Sequence, residues 1–251
     1  DVLQARATYY GLMSQVDHHL GRVINYLKKS GQYDSTLIIF TSDHGEQLGD
    51  HYSFGKSGYF DQSYYIPLII RTPEIAKQAS KKSVGRGTQV ELFTEAIDVM
   101  PTILDWLETE IPEECDGRSL LPFLHGKIPD KWRTEVHWEY DFREIGSFQP
   151  IIEQQFGLSP DQCSLSVLRD EHYKFVHMTA LKPLLFDLQK DPEEFINRAD
   201  DPGYQDIMLK YAQKMLSWQM LHRDRTLVNI NMETGTLVHW KGPRILNKMG
   251  E

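Results

Sequence analysis

Cysteine is scarce in this chain. Cys115 and Cys163 are the only two in 251 residues, too few for a disulfide framework. Two reduced thiols in a cytoplasmic protein is the state this points to. No apolar run approaches the roughly 20 residues of a membrane span, and no basic segment with an apolar stretch behind it opens the chain as a secretory leader would. Positive charge is also short. The 27 Lys and Arg against 36 Asp and Glu leave a net charge of −9 and a pI near 5.6, which argues against a nucleic-acid groove or an anionic membrane surface. An anionic substrate stays compatible, because a bound metal and one or two lysines reverse the sign locally. Internal repeats are lacking, and the chain opens on Asp1, without methionine, inside a helical pattern. That reads as an internal start.

What is present is ordinary globular composition, 40% apolar and 25% charged, in a length that can bury one large core or two smaller ones. Residues 2–29 place Tyr9, Leu12, Val16, Leu20, Val23 and Leu27 at helical spacing, closed by Lys28, Lys29 and Gly31. Tyr33-Asp34-Ser35 turns the chain into a buried strand over Thr36–Thr41. A polar loop, Gly45–Tyr64, leads to a second apolar run at Ile66–Ile70, with Pro67 near its start, where a strand tolerates it. Lys77–Gly87 is basic and reads as a solvated loop, and Val90–Phe93 as a further short strand. Asp98 reads as the cap of a helix that carries Pro101 in its first turn and runs through Leu107. This alternation marks an α/β layer sandwich over residues 1–128. Over 129–228 the pattern becomes four short strands (Arg133–Tyr140, Ser164–Arg169, Tyr173–Met178, Leu184–Leu188) before one long helix, about Tyr204–Leu221. That predicts a small α+β subdomain, an antiparallel sheet with a helix across one face. Residues 229–251 lack periodicity and read as a tail or an oligomerisation arm.

The chemistry concentrates after Leu37-Ile38-Ile39-Phe40. Successive strand residues point to opposite faces, so Asp43 and His44 can share one ion only where the strand ends and the backbone turns, which Gly45 permits. Strand ends of open α/β sheets are where ligands bind. The alternative is a capped turn with a buried Asp and a satisfied His, and the residues alone leave the two readings even. Lys56, between Gly55 and Gly58, is placed to reach back over the strand end and neutralise a substrate oxygen, or is a solvated surface lysine. His51 either contacts substrate or braces the loop. His18 and His19 are neighbours on a helix, not the i,i+4 pair that shares a metal. Asp187, Asp191, Glu193 and Glu194 lack the spacing of a calcium loop, and Asp191-Pro192 reads as a turn.

Taken together, Thr41-Ser42-Asp43-His44-Gly45-Glu46-Gln47-Leu48-Gly49-Asp50-His51, then Gly55-Lys56 and Ile66-Pro67-Leu68-Ile69-Ile70-Arg71, resemble the C-terminal half of a sulfatase of the alkaline phosphatase superfamily. Asp98-x-x-Pro101-Thr102, Asp116-Gly117-Arg118-Ser119-Leu120 and Leu185-Phe186-Asp187-Leu188 with Asp191-Pro192 support it, and the resemblance covers about residues 9–222. Cys115–Leu124, Trp132–Glu135 and Glu139–Arg143 resemble the phosphonate monoester hydrolase branch.

The resemblance implies the C-terminal part of an alkaline-phosphatase-like α/β sandwich plus the α+β subdomain. It implies a hydrolase of small anionic sulfate, phosphonate or phosphate esters. Asp43 and His44 would be ligands of one divalent metal (manganese, zinc or calcium), and Lys56, with His51, would contribute at the reacting group. The family's nucleophile is a formylglycine made in a Cys/Ser-x-Pro-x-Arg motif. Neither Cys115 nor Cys163 fits that motif, which places the nucleophile outside this chain. The expected partners are then the missing N-terminal half of the same enzyme and further copies in a homo-oligomer, with no nucleic acid and no membrane. On this reading the segment alone is inactive. A non-catalytic sulfatase-fold module used for binding or oligomerisation is the alternative.

Overall fold

The computed structural model describes residues 2–73, 87–112, 114–143, 151–222, 230–233 and 236–239, with 151–153 and the last two segments described by backbone alone. The helices are α1 (Val2–Lys29), α2 (Asp61–Tyr64), α3 (Val99–Trp106), α4 (Leu121–Leu124), α5 (Ile151–Phe156) and α6 (Gln205–His222). The strands are β1 (Ile38–Thr41), β2 (Leu68–Arg71), β3 (Glu135–Asp141), β4 (Ser164–Asp170), β5 (Tyr173–Met178), β6 (Leu184–Asp187), β7 (Ile230–Glu233) and β8 (Thr236–His239). They group by contact into two compact units, Asp1–Val90 with Leu121–Ile128, and Glu91–Leu120 with Pro129–Glu251. Residues 91–120 thus group with the second unit, whereas the division read from the sequence lies at 128.

In the first unit, α1 ends as its sequence dictates, with Lys28 and Lys29 in the last turn and Gly31 beyond it at φ 72°. None of its residues is buried, and Leu12, Val16 and Val23 are each more than half exposed. β1 pairs antiparallel with β2, Ile38 opposite Arg71 and Thr41 opposite Leu68. The expected buried strand is therefore corrected: β1 is half-buried and ends on an exposed Thr41. Its apolar run reflects a sheet face that the described residues cover only in part. Arg71 secures the far end of the pair. Its guanidinium donates to the carbonyls of Tyr33 (2.7 Å) and Thr36 (3.1 Å) and lies 3.8 Å above the Tyr33 ring.

The second unit is built on the antiparallel sheet β3-β4-β5-β6. Leu168, Phe175 and Leu185 stand side by side across it and pack against Tyr204, Tyr211 and Met215, so α6 lies on that face. This is the expected helix across a sheet, and Tyr211 and Met215 are core. The opposite face carries the buried Val167, Val176 and Lys174, and Lys174 forms a buried ion pair with Glu194.

Two expectations fail here. Val90–Phe93 is not a strand: Phe93 spends its carbonyl on the Trp132 indole N–H (2.7 Å), so the segment is held by a side chain and not by a ladder. Asp98 gives α3 no side-chain cap. Its carboxylate is fully buried, and accepts from the backbone N–H of Glu95 (2.8 Å) and Arg118 (2.7 Å) and from both terminal nitrogens of Arg133. Gly117 belongs to the same junction, because a Cβ there would lie 2.0 Å from the Ile97 carbonyl oxygen. In the supposed tail, β7 and β8 form an antiparallel hairpin, Ile230 opposite His239. The remainder of 229–251 and Lys77–Arg86 lie outside the described residues.

Candidate metal centre

Asp43 and His44 lie just beyond the end of β1, where the chain leaves the pairing with β2. The turn is tight because Gly45 packs against main chain. Its N–H donates to the Ser63 carbonyl at 2.8 Å, and a Cβ at this position would sit 2.0 Å from the Gln62 carbonyl oxygen. Asp43 Oδ1 accepts the His44 N–H at 3.1 Å, and Asp43 Oδ2 lies 3.8 Å from His44 Nε2. His44 Nδ1 is 2.7 Å from the Gly45 carbonyl. A carbonyl only accepts, so Nδ1 donates to it, and Nε2 is the ring nitrogen that faces the carboxylate. A metal-binding imidazole is held in the same way, with a backbone oxygen fixing its second nitrogen. The Asp43 side chain is 85% exposed. Backbone hydrogen bonding at Asp43 holds its carboxyl below the usual carboxylate range, with His44 and, more weakly, Lys56 adding electrostatic pull.

One carboxylate oxygen and one imidazole nitrogen fit part of a ligand set for a divalent cation. Among the described residues no cluster of three or more His, Cys, Asp or Glu could hold a metal, and a stable catalytic site generally takes three protein ligands or more.

The loop that follows is braced from inside. Gln47 is buried, its N–H donating to the Gly55 carbonyl (3.0 Å) and its Nε2 to the Ser57 carbonyl (2.6 Å) and the Ser63 hydroxyl (3.0 Å). Glu46 Oε1 accepts from the N–H of Leu48 (3.1 Å) and of Gly55 (2.6 Å). From α1, Arg6 donates to the Leu48 carbonyl (2.7 Å) and to Asp50 (3.0 Å). These contacts position Lys56, which is exposed at the end of the braced segment. The His51 ring stacks on Phe60, centroids 3.6 Å apart and planes 5° from parallel, which is a bracing geometry. No periodicity marks the bracing role of Glu46 and Gln47, because polar side chains that tie a loop to its own backbone follow none. An open groove of about 570 Å³ separates α1 from this loop, lined by Tyr9, Leu12, Leu48 and Phe54.

Residues 2–109 match the sulfatase family model. The chain is 53% identical to the multifunctional alkaline phosphatase superfamily protein PehA of Trinickia caryophylli over 91% of its own length, and 28% identical to an arylsulfatase of Clostridium perfringens over 88%. It spans 43% and 41% of those relatives. Among solved structures, 94% of the chain superposes on the phosphonate monoester hydrolases of Agrobacterium radiobacter (45% identity, TM-score 0.83) and Silicibacter pomeroyi (42%, 0.84), covering 45% and 44% of those chains. Residues 2–109 thus carry the sulfatase family pattern, and the chain is a homologue of the sulfatases and phosphonate monoester hydrolases of the alkaline phosphatase superfamily.

Proposed function

We propose that the whole protein is a metal-dependent hydrolase of small anionic sulfate, phosphonate or phosphate esters, with Asp43 and His44 holding one divalent ion and Lys56 acting on the transferring group. The observation that carries this reading is the pairing of His44 Nε2 with the Asp43 carboxylate at a strand end, with Nδ1 occupied by the Gly45 carbonyl. The ion, manganese, zinc or calcium, would supply Lewis acidity toward a substrate oxygen. Lys56 neutralises charge that develops on the same group, and His51 orients the loop between them. The remaining ligands and a formylglycine-type nucleophile lie outside this chain. Two observations support that division: the chain spans less than half of its relatives, and the apolar side chains of α1 stand uncovered.

The test is hydrolysis of a sulfate ester and a phosphonate monoester by the intact enzyme, stripped with chelator and reloaded with each metal. Asp43→Ala and His44→Ala are expected to abolish metal-restored turnover, and Lys56→Ala to lower kcat by roughly a hundredfold or more. Turnover that survives chelation and the Asp43 variant would overturn the assignment. A second reading, a binding or oligomerisation module without catalysis, draws on the lack of a third metal-capable side chain among the described residues. It predicts no turnover of either ester by the intact protein.

A further inference from the structure

Resting on that functional reading, we propose that Gln47 is a positioning residue, whose main-chain and side-chain N–H groups fix the chain on both sides of Lys56 and tie it, through Ser63, to the turn that carries Asp43 and His44. A lysine that is to meet charge at a fixed point loses less on reaction if its freedom is restricted beforehand. Lys56 sits on a loop, so the restriction must come from what holds the main chain at its root.

The bonds that do so converge on one residue. The Gln47 N–H donates to the Gly55 carbonyl (3.0 Å), and its side-chain Nε2 donates to the Ser57 carbonyl (2.6 Å) and the Ser63 hydroxyl (3.0 Å). Gly55 and Ser57 are the neighbours of Lys56 on either side. Gly55 is held a second time by Glu46, whose Oε1 accepts its N–H at 2.6 Å. Ser63 closes the connection, because its carbonyl accepts the N–H of Gly45, directly after His44, at 2.8 Å. The two ends of this connection are within electrostatic reach of each other: backbone hydrogen bonding holds the Asp43 carboxyl low, and the Lys56 charge adds to that pull.

The amide can face only one way. A carbonyl never donates, so Nε2 must be the atom turned to Ser57, and Oε1 is left buried with no hydrogen-bond partner among the described residues. Gln47 is 1% exposed, a burial that its own unit already supplies. An unmet buried acceptor offsets much of what the donated bonds contribute to stability. The side chain therefore adds little to the stability of the fold and much to the geometry of the loop around Lys56.

The experiment is a double-mutant cycle on the intact enzyme, with Gln47→Met, Gln47→Glu, Lys56→Ala and the Lys56→Ala pairings with each. It reads kcat on a phosphonate monoester and affinity for manganese. Methionine keeps the volume without the donor, and glutamate keeps the shape but turns an acceptor toward the Ser57 carbonyl. Each is expected to lower kcat about tenfold. Manganese affinity should stay within about twofold of the parent, since Gly45 keeps its main-chain bond to Ser63. With Lys56 already replaced, either Gln47 variant should cost less than about twofold more. A further loss of about tenfold in that background would show that Gln47 acts on the fold as a whole, and would overturn the proposal. Unchanged kcat in both Gln47 variants, or a manganese affinity that falls in step with kcat, would overturn it as well. Should one variant fail to fold, the cycle is read from the other. A drop in kcat for Lys56→Ala with an indifferent Gln47 overturns only this assignment, whereas a Lys56→Ala enzyme as active as the parent overturns the functional reading of Lys56 itself.

Discussion

Replacing Asp98 by alanine removes a carboxylate that is fully buried and satisfies four donors: Glu95 N, Arg118 N and both terminal nitrogens of Arg133. The Arg133 side chain is only 8% exposed, so its charge cannot turn to water once its partner is gone. Removing one member of a buried ion pair costs about 3–5 kcal/mol, and each stranded backbone N–H adds about 1 kcal/mol. Glu95 Oε2, 3.3 Å from the guanidinium, offsets part of this. The net expectation is a loss of about 4 kcal/mol, or roughly 8–16 °C in Tm for a domain of this size. Urea denaturation followed by near-UV circular dichroism would read it. The pairing itself is isolated by a double-mutant cycle with Arg133→Met, where a coupling of about 2 kcal/mol or more is expected. A loss below about 1 kcal/mol for Asp98→Ala, or strict additivity in the cycle, would refute the reasoning.

Gly45→Ala drives a Cβ into the Gln62 carbonyl, so the Asp43–His44 turn must open; divalent-metal affinity of the intact enzyme is expected to fall roughly tenfold or more, and an unchanged affinity would count against the turn's role. In the second unit, the His137 hydrogen bond holds the Glu135 carboxyl below its ordinary 4.5 against burial, with Lys214 assisting. For Asp170, burial pushes the carboxyl up but is outweighed by the Tyr211 hydroxyl, two backbone N–H groups and Lys214, leaving it below 3.8. Both folded values are depressed, so their stabilisation is complete above the unfolded values and is lost as pH falls through the folded ones. Urea midpoints should therefore drop steeply below about pH 4.5, and Glu135→Gln should flatten that slope; a midpoint that rises with acid would contradict the sign. Leu185→Ala, at a fully buried position beside Leu168 and Phe175, should lower unfolding free energy by about 2–5 kcal/mol, and calorimetry showing less than about 1 kcal/mol would mean that the sheet-helix core is misplaced.

Much of the secondary structure was legible because its signals are local. α1 stops at its lysines and glycine, the four strands of the second sheet lie within two residues of their apolar runs, and α6 follows Pro202 and Tyr204. What misled is equally physical. A short apolar run such as Leu37–Phe40 states that a strand exists but not its neighbour, and the antiparallel partner β2 lies beyond the whole Gly45–Tyr64 loop. Val90–Phe93 has strand composition, yet a tryptophan indole claims its carbonyl. β7 and β8 form a hairpin whose first strand, Ile230-Asn231-Met232-Glu233, does alternate apolar and polar residues, but over only four positions.

By itself the sequence singled out Asp43, His44 and Lys56 as candidates, because Asp-His-Gly after a β-branched run, with a lysine between glycines downstream, joins metal-capable side chains to a turn. It also determined that an antiparallel sheet precedes one long helix. Only the tertiary structure decided which nitrogen of His44 faces Asp43, since that depends on a carbonyl one residue away in a turn whose shape Gln62 and Ser63 enforce. Only it showed that Asp98 is a buried partner for an arginine 35 residues on and gives α3 no side-chain cap, or that His51 stacks on Phe60 while the neighbouring Tyr52 is exposed. Each of these rests on contacts between residues distant in the chain, where periodicity and spacing hold no information.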